Sequence, residues 1–106
     1  MDYLKRNRTI EGEPFEFSRD YEETGDQEPI LFPGGIKGVS ITLKPTEGEA
    51  KIQVSSSPEE KIKAGTAIWI DHSSGTVSDS IRVEIGVAAA VRVNISSGTA
   101  SVEIRA

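Results

Sequence analysis

Apolar and polar residues alternate one by one through five stretches of the chain. A period of two places every second side chain on one face of an extended strand, so each stretch predicts a strand with one buried and one solvated face. Counting weaker candidates, about seven or eight short strands are expected, which is typical of an all-β domain. The pattern therefore predicts an antiparallel β-sandwich or jelly roll. The five apolar rows are Val39/Ile41/Leu43, Ala50/Ile52/Val54, Ile81/Val83/Ile85, Ala89/Val91/Val93/Ile95 and Ala100/Val102/Ile104.

Two breaks that contain glycine separate neighbouring rows. Residues 46–49, around Gly48, are typical of a turn and predict that the first two rows form a hairpin. Residues 96–99, around Gly98, predict a turn between the last two rows. We therefore expect the last quarter of the chain to be a meander or part of a Greek key.

The middle of the chain interrupts the alternation. In residues 57–65 a Pro follows a Ser, acidic residues come early and Gly65 closes the stretch, which predicts one helical turn. Residues 66–71 are apolar at consecutive positions, with Ala67 and Trp69 alternating with Ile68 and Ile70. This pattern predicts a strand covered on both faces, with Trp69 in the core.

The N-terminal quarter differs from the rest in charge. Residues 1–28 hold the whole net charge of −5, whereas residues 29–106 hold eight basic and eight acidic residues. Apolar residues are sparse before residue 29, and the prolines and glycines that follow it mark the start of the compact body. We therefore predict an extended, charged arm or peripheral strand over residues 1–28 and a sandwich domain over residues 29–106.

The arm nevertheless contains several aromatic and basic side chains. They either fold back onto the sandwich or dock into a neighbouring subunit. For the second alternative we predict a partner-binding set made of Tyr3, Leu4, Arg6, Arg8, Phe15, Phe17 and Tyr21.

Catalytic and metal-binding patterns are weak. The chain has one His and no Cys, too few ligands for a transition-metal site. Asp71, His72 and Ser73 are the residue types of a hydrolase triad, but such groups must converge from separate elements. We therefore expect neither an enzyme nor a cofactor. A carbohydrate-binding module is an alternative if Trp69, or the pair Phe15 and Tyr21, lies exposed on a platform.

Two partners are not expected. A sequence pI near 4.9 without a basic stripe argues against nucleic acid, because Lys and Arg supply most of that affinity. No apolar run approaches the length of a membrane span, and the first residues lack the apolar run of a secretion signal. We expect a protein made and kept in the cytoplasm.

Four segments of the body together resemble small structural proteins of tailed-bacteriophage virions. They are residues 62–71 (IKAGTAIWID), 75–78 (GTVS), 91–99 (VRVNISSGT) and 100–105 (ASVEIR). The resemblance covers about residues 30–106, and the arm matches no pattern of that family. The family includes capsid decoration (cement) proteins and head-to-tail accessory factors.

The resemblance implies a β-sandwich or jelly roll that binds other virion proteins. It implies a decoration protein on the outside of a phage head, which bridges subunits of the major capsid protein after assembly in the host cytoplasm. A head-to-tail or tail accessory protein is the alternative within the family. A homo-oligomer, dimer or trimer, is expected on the particle, since edge strands of two copies can pair.

Overall fold

The described part of the chain folds as a mostly antiparallel β-sheet with one short helix, which confirms the predicted all-β class. The computed structural model describes residues 2–3, 5–6, 15–34 and 36–106. In chain order the elements are β1 (Asp2–Tyr3), β2 (Lys5–Arg6), β3 (Phe15–Tyr21), β4 (Gly25–Asp26), β5 (Ile30–Leu31), β6 (Val39–Ser55), α1 (Glu59–Ala64), β7 (Ile70–Asp71), β8 (Ile81–Ile85) and β9 (Ala90–Arg105).

Two long strands, β6 and β9, pair with each other along nearly their whole length and form the spine of the sheet. On the outer side of β6, β8 pairs with its first half and β7 with its second half. On the outer side of β9, β3 pairs with its second half, while β4 and β5 pair with its first half. The short strands β1 and β2 pair with β5 and β3, and β1 is the parallel one. Each half of the spine thus has its own flanking strands.

The hairpin predicted around Gly48 and the turn predicted around Gly98 are wrong, because each pair of rows belongs to one long strand. The rows on either side of Gly48 are both in β6, and those on either side of Gly98 are both in β9. The buried positions nevertheless change parity at this point, from Leu43 to Ala50 in β6 and from Ile95 to Ala100 in β9. In a regular strand such residues would face opposite sides of the sheet. The backbone must therefore reorient at the middle of the spine.

An irregularity at this point accounts for the reorientation. Thr46 pairs with Thr99 and Ala50 with Ile95, with shifted register between them. Each strand contains one residue with positive φ, Glu47 at 56° and Gly98 at 73°. A left-handed residue breaks the pleat, bends the strand and returns the following apolar row to the core side. A turn and a bulge share this glycine signature, which is why the sequence pattern misleads.

One main core draws on both halves of the spine. It includes Ile41 and Val102 from one half and Ile52 and Val93 from the other, each at most 2% exposed. The sandwich or jelly-roll arrangement is not confirmed, because the described strands join into one open sheet.

The helical turn predicted in residues 57–65 is confirmed as α1. Gly65 ends the helix in the left-handed conformation, at φ 78°, and its N–H donates to the carbonyl of Ile62. Ile62 is buried with Leu31 and Ala90 in a second, smaller cluster. Leu31 follows the core residue Ile30 in β5, and Ala90 precedes the core residue Val91 in β9. Because successive side chains of a strand point to opposite faces, Leu31 and Ala90 face the other side of the sheet. The helix therefore covers the sheet face opposite the main core.

The strand predicted at residues 66–71 is largely wrong. Only Ile70–Asp71 forms a strand, and it lies at the edge of the sheet, paired with β6 alone among the described strands. Ile68 and Ile70 are exposed. An apolar run on both faces indicates burial only if a layer covers each face, and here the helix and Trp69 cover one face only.

Part of the predicted arm belongs to the same sheet as the body. β3 pairs with six consecutive residues of β9, from Ala100 to Arg105. Phe15–Tyr21 is thus a strand of the sheet, between β9 and β2, and the division of the chain at residue 28 stays a prediction.

Candidate partner-binding site

The largest exposed apolar side chains of the described chain include two neighbours at one sheet edge. Ile68 is 71% exposed and Ile70 is 66% exposed. Ile70 pairs with Val54, which pairs with the buried Val91 of the main core. The face that forms the core therefore continues outward to Ile70, where the rest of the chain no longer covers it.

Local hydrogen bonds set the path of this segment. Ser55 is buried, and its hydroxyl accepts a hydrogen bond from the Ser57 N–H at 3.1 Å. The Ser57 hydroxyl in turn accepts from the Ile68 N–H at 2.9 Å. Together with the reversal at Gly65, these bonds lay residues 66–70 beside the end of β6. They hold Ile68 next to the start of the helix.

A groove of about 630 Å³ opens between these segments. Its apolar wall consists of Val54, Pro58, Ile68 and Ile70. Its rim is polar and consists of Ser56, Ser57, Lys61, Asp71, His72 and Ser73. An apolar floor with a polar rim is the usual composition of a protein-binding surface.

Asp71 and His72, two polar side chains of the rim, are engaged in structural contacts. The ring nitrogen Nδ1 of His72 accepts from the Ser74 backbone N–H at 3.0 Å and lies 3.0 Å from its hydroxyl. The carboxylate of Asp71 accepts from the Gln53 amide at 2.8 Å and from the Lys51 ammonium at 3.1 Å. The sequence neighbours Asp71 and His72 therefore serve different contacts and do not converge as a triad.

The same contacts change the acidity of Asp71. Hydrogen bonds from Gln53, and then from Lys51, lower the pKa of the Asp71 carboxyl below its ordinary value of 3.8. The carboxylate is thus held ionised and paired at the groove edge.

Trp69 lies on the opposite face of the sheet from the groove. The Arg92 guanidinium lies 4.4 Å from the centre of its ring, and the ring also packs against the Ile62 cluster. The expectation that Trp69 lies in the core is met only in part, because the ring packs against the Ile62 cluster but the side chain is half-buried at a surface. With a cation on one face and apolar contacts besides, the ring does not form an open platform for a sugar.

Arg92 also joins a row of polar side chains that crosses this face. Its Nε donates to Gln53 at 2.7 Å, and a terminal nitrogen lies 3.4 Å from the carboxylate of Asp26. Asp26 accepts from the Asn94 amide at 2.6 Å. The row links β7, β6, β9 and β4, and it ties Trp69 to the sheet.

A second depression, of about 870 Å³, lies at the other half of the spine. Its lining is mostly polar and includes Glu16, Ser40, Arg82, Glu103 and Arg105. Arg105 pairs with Glu16 at 3.1 Å, and Arg82 donates to the Ser40 hydroxyl at 2.7 Å. Charges of both signs thus alternate here, which is typical of a solvated sheet face.

The predicted partner-binding set is spread over several places. Tyr3 and Arg6 lie in β1 and β2, and Leu4 and Arg8 lie outside the described residues. Phe15 and Phe17 pack against the main core, and Tyr21 is part of it, at 6% exposure. For these three the structure shows the fold-back alternative. A partner-binding role for the set stays a prediction.

The sequence pattern missed Ile68 and Ile70 as surface residues. Consecutive apolar residues indicate burial, and a binding surface gives the same pattern when its partner supplies the cover.

Neither a metal site nor a relative helps to assign the chain. Within residues 15–34 and 36–106, where side chains are described, no three His, Cys, Asp or Glu residues group as metal ligands. In the described part of the chain no helix has the length and apolarity to cross a membrane. Comparison with family models, curated proteins and solved structures finds no match.

Proposed function

We propose that this chain is a non-enzymatic binding domain that docks onto another protein through the groove at Ile68 and Ile70. The supporting observation is the exposure of these two side chains where the core face runs out at the edge of the sheet. Burial of an aliphatic side chain of this size contributes about 1.5–3 kcal/mol, so covering both is a substantial gain for a partner.

We propose further that the partner is the major capsid protein of a tailed bacteriophage. The support is the resemblance of residues 62–71 and 91–105 to small virion proteins, and the first of these segments contains Ile68 and Ile70. The chain would then be a decoration (cement) protein on the outside of the head. Many copies that each bind moderately would together brace the shell by avidity.

The location of the chain in purified particles tests this proposal. Mass spectrometry of particles from a phage that encodes the chain should detect it at a copy number comparable with that of the capsid protein. Cryo-electron microscopy should place its density on the outer surface of the head. Density confined to the neck or tail would favour the accessory-protein alternative and overturn decoration. Absence from the particles would overturn both.

The carbohydrate-binding alternative receives no support from the surface. The ring of Trp69 is covered by Arg92, Phe15 packs against the main core, and Tyr21 is part of that core. A glycan array probed with the purified chain should show no hits. A hit that Trp69→Ala abolishes would favour the carbohydrate-binding class over the capsid proposal.

We also propose that the two halves of the bent sheet face each other as the layers of a β-sandwich. The support is the single core that contains residues of both halves, such as Ile41 and Ile52. Nuclear Overhauser contacts between methyl groups of the half with Val102 and the half with Val93 would agree with this arrangement. Contacts restricted to neighbouring strands would rule it out.

A further inference from the structure

We propose that β8 is a homodimer interface, at which the β8 strands of two copies pair antiparallel around a two-fold axis at Val83. This inference goes beyond the proposed function, since it concerns a different sheet edge and a different partner. Dimerisation through β8 can be disproved while docking through the groove is upheld, and docking can be disproved while dimerisation is upheld.

The first support is that β8 is a regular strand with an open side. Its five residues, Ile81–Ile85, pair with Val39–Leu43 of β6 without a register shift. Among the strands that the structure describes, β8 has no second neighbour. The backbone N–H and C=O groups on its far side are therefore available to another strand.

The second support is the charge pattern of β8. Arg82 and Glu84 are the charged residues of the strand, both on the solvated face, with side chains 69% and 71% exposed. In an antiparallel pair centred on Val83, Arg82 of each copy lies opposite Glu84 of the other. Each copy has its own ion pair between Arg82 and Glu84, at 3.3 Å. In the dimer these two pairs would join, so that four charged side chains form one network. The strand is thus complementary in charge to itself.

The third support is the apolar face of the same strand. Ile81 and Val83 are half-buried and pack at the margin of the main core, and Ile85 is 7% exposed. In the proposed register Val83 meets Val83, and Ile81 meets Ile85, across the axis. Both cores would then continue into each other on one face, while the charges pair on the other face.

Another open edge, at β4, is not complementary in charge to itself. Around β4, residues 22–28 hold Glu22, Glu23, Asp26 and Glu28 and no basic residue. Two copies of that edge would bring like charges together, which is unfavourable. Charge complementarity therefore favours β8 over β4 as the edge for a second copy.

Charge-swap variants test the register directly. The purified chain alone, in sedimentation at moderate salt, should be a reversible dimer. Arg82→Glu and Glu84→Arg should each dimerise about tenfold more weakly or worse, because each places like charges opposite each other. An equimolar mixture of these two variants should dimerise, since every charge then meets its opposite. The double variant R82E/E84R should also restore the dimer.

These outcomes separate pairing from a merely structural role. If the variants lost dimerisation only because the ion pair within each copy was broken, mixing the two variants would not restore the dimer, since neither chain regains that pair. A wild-type chain that stays monomeric, single variants that dimerise like the wild type, or a mixture that stays monomeric would each overturn the proposal. No phage particle is present, so failure here leaves the capsid proposal standing.

A cysteine at the axis provides a second readout. The chain contains no Cys, so Val83→Cys carries a single thiol. The Cα atoms of directly opposed residues lie about 4.5–5.5 Å apart, within reach of a disulfide. Val83→Cys should form a covalent dimer rapidly on oxidation. Val87→Cys, at an exposed position outside β8, is the matched control and should react slowly. Equal rates would contradict the register.

Discussion

The guanidinium of Arg92 lies 4.4 Å from the centre of the Trp69 ring, on the sheet face opposite the main core. Arg92 is also bound to Gln53 and Asp26, so this one side chain ties the segment after the helix to three strands. Trp69 is in turn part of the cover over the small Ile62 cluster. The position of residues 66–70, and hence of the groove, depends on this contact.

We expect Arg92→Ala to lower the free energy of unfolding by about 1–2 kcal/mol, through loss of the cation–π contact and of charged hydrogen bonds. Trp69 is the only Trp, so its fluorescence reports the change, and its emission should shift to the red as the ring gains water. Arg105→Ala, which removes an exposed ion pair with Glu16, is the control and should cost less than about 0.5 kcal/mol. An unchanged emission maximum in Arg92→Ala would contradict the contact.

Gly48 and Gly98 are expected to be indispensable to the bend in the spine. A Cβ at Gly98 would lie 2.5 Å from the Glu47 carbonyl oxygen, and one at Gly48 would lie even closer to that of Ser97. Both obstacles are backbone atoms, so either Gly→Ala variant should lose more than about 2 kcal/mol in chemical denaturation. Gly34→Ala is the control, because a Cβ there meets open space, and it should change stability by less than about 0.5 kcal/mol. Equal stability of all three variants would refute the close approach of the two strands.

Asp71 should contribute stability that depends on pH. Its pKa is lowered in the folded chain by Gln53 and Lys51, so its contribution is present above the ordinary pKa of 3.8 and is lost as the pH falls through the folded value. Asp71→Asn should therefore melt below the wild type at neutral pH, with a difference that shrinks in acid below pH 3.8. Melting curves of both proteins across this range measure it. A difference independent of pH would show that the charge of Asp71 is not the cause.

Ile62 and Ile70 should respond in opposite ways to truncation, although both are aliphatic. Ile62 is 3% exposed beneath the helix, so Ile62→Ala should cost about 2–5 kcal/mol of stability. Ile70→Ala should be nearly neutral for folding, within about 0.5 kcal/mol, because the side chain is already in water. Urea denaturation of both variants tests the comparison. A large loss in Ile70→Ala would mean that Ile70 serves the fold and not a partner.

The alternation of residues was sufficient to predict the β class and most of the buried rows, and the Pro, acidic and Gly positions in residues 57–65 predicted the short helix, since each of these is a local pattern. It could not distinguish a turn from a bulge at Gly48 and Gly98, because both use glycine and both exchange the buried parity. The choice of a bulge over a turn depends on the pairing of β6 with β9, whose residues lie about fifty positions apart in the chain. A local sequence pattern cannot show such a pairing.

Local sequence patterns could not predict the candidate site either, because its exposure depends on the tertiary packing. Ile68, Trp69 and Ile70 are all large side chains in one run, and the sequence predicts burial for all of them. What separates them is which face the helix and Arg92 cover, which is a property of the tertiary packing. The result is one half-buried Trp and two exposed Ile residues.

Binding of the purified chain to phage particles that lack it tests whether the chain docks through the groove at Ile70. The dissociation constants of the wild type, Ile70→Lys and Val87→Lys are compared, since Val87 is 80% exposed and lies outside the groove. We predict that Val87→Lys binds like the wild type and that Ile70→Lys binds about thirtyfold more weakly or worse, as expected for a central interface residue. Equal binding by all three proteins, or no binding by the wild type, would contradict docking of the chain onto the particle through the groove at Ile70.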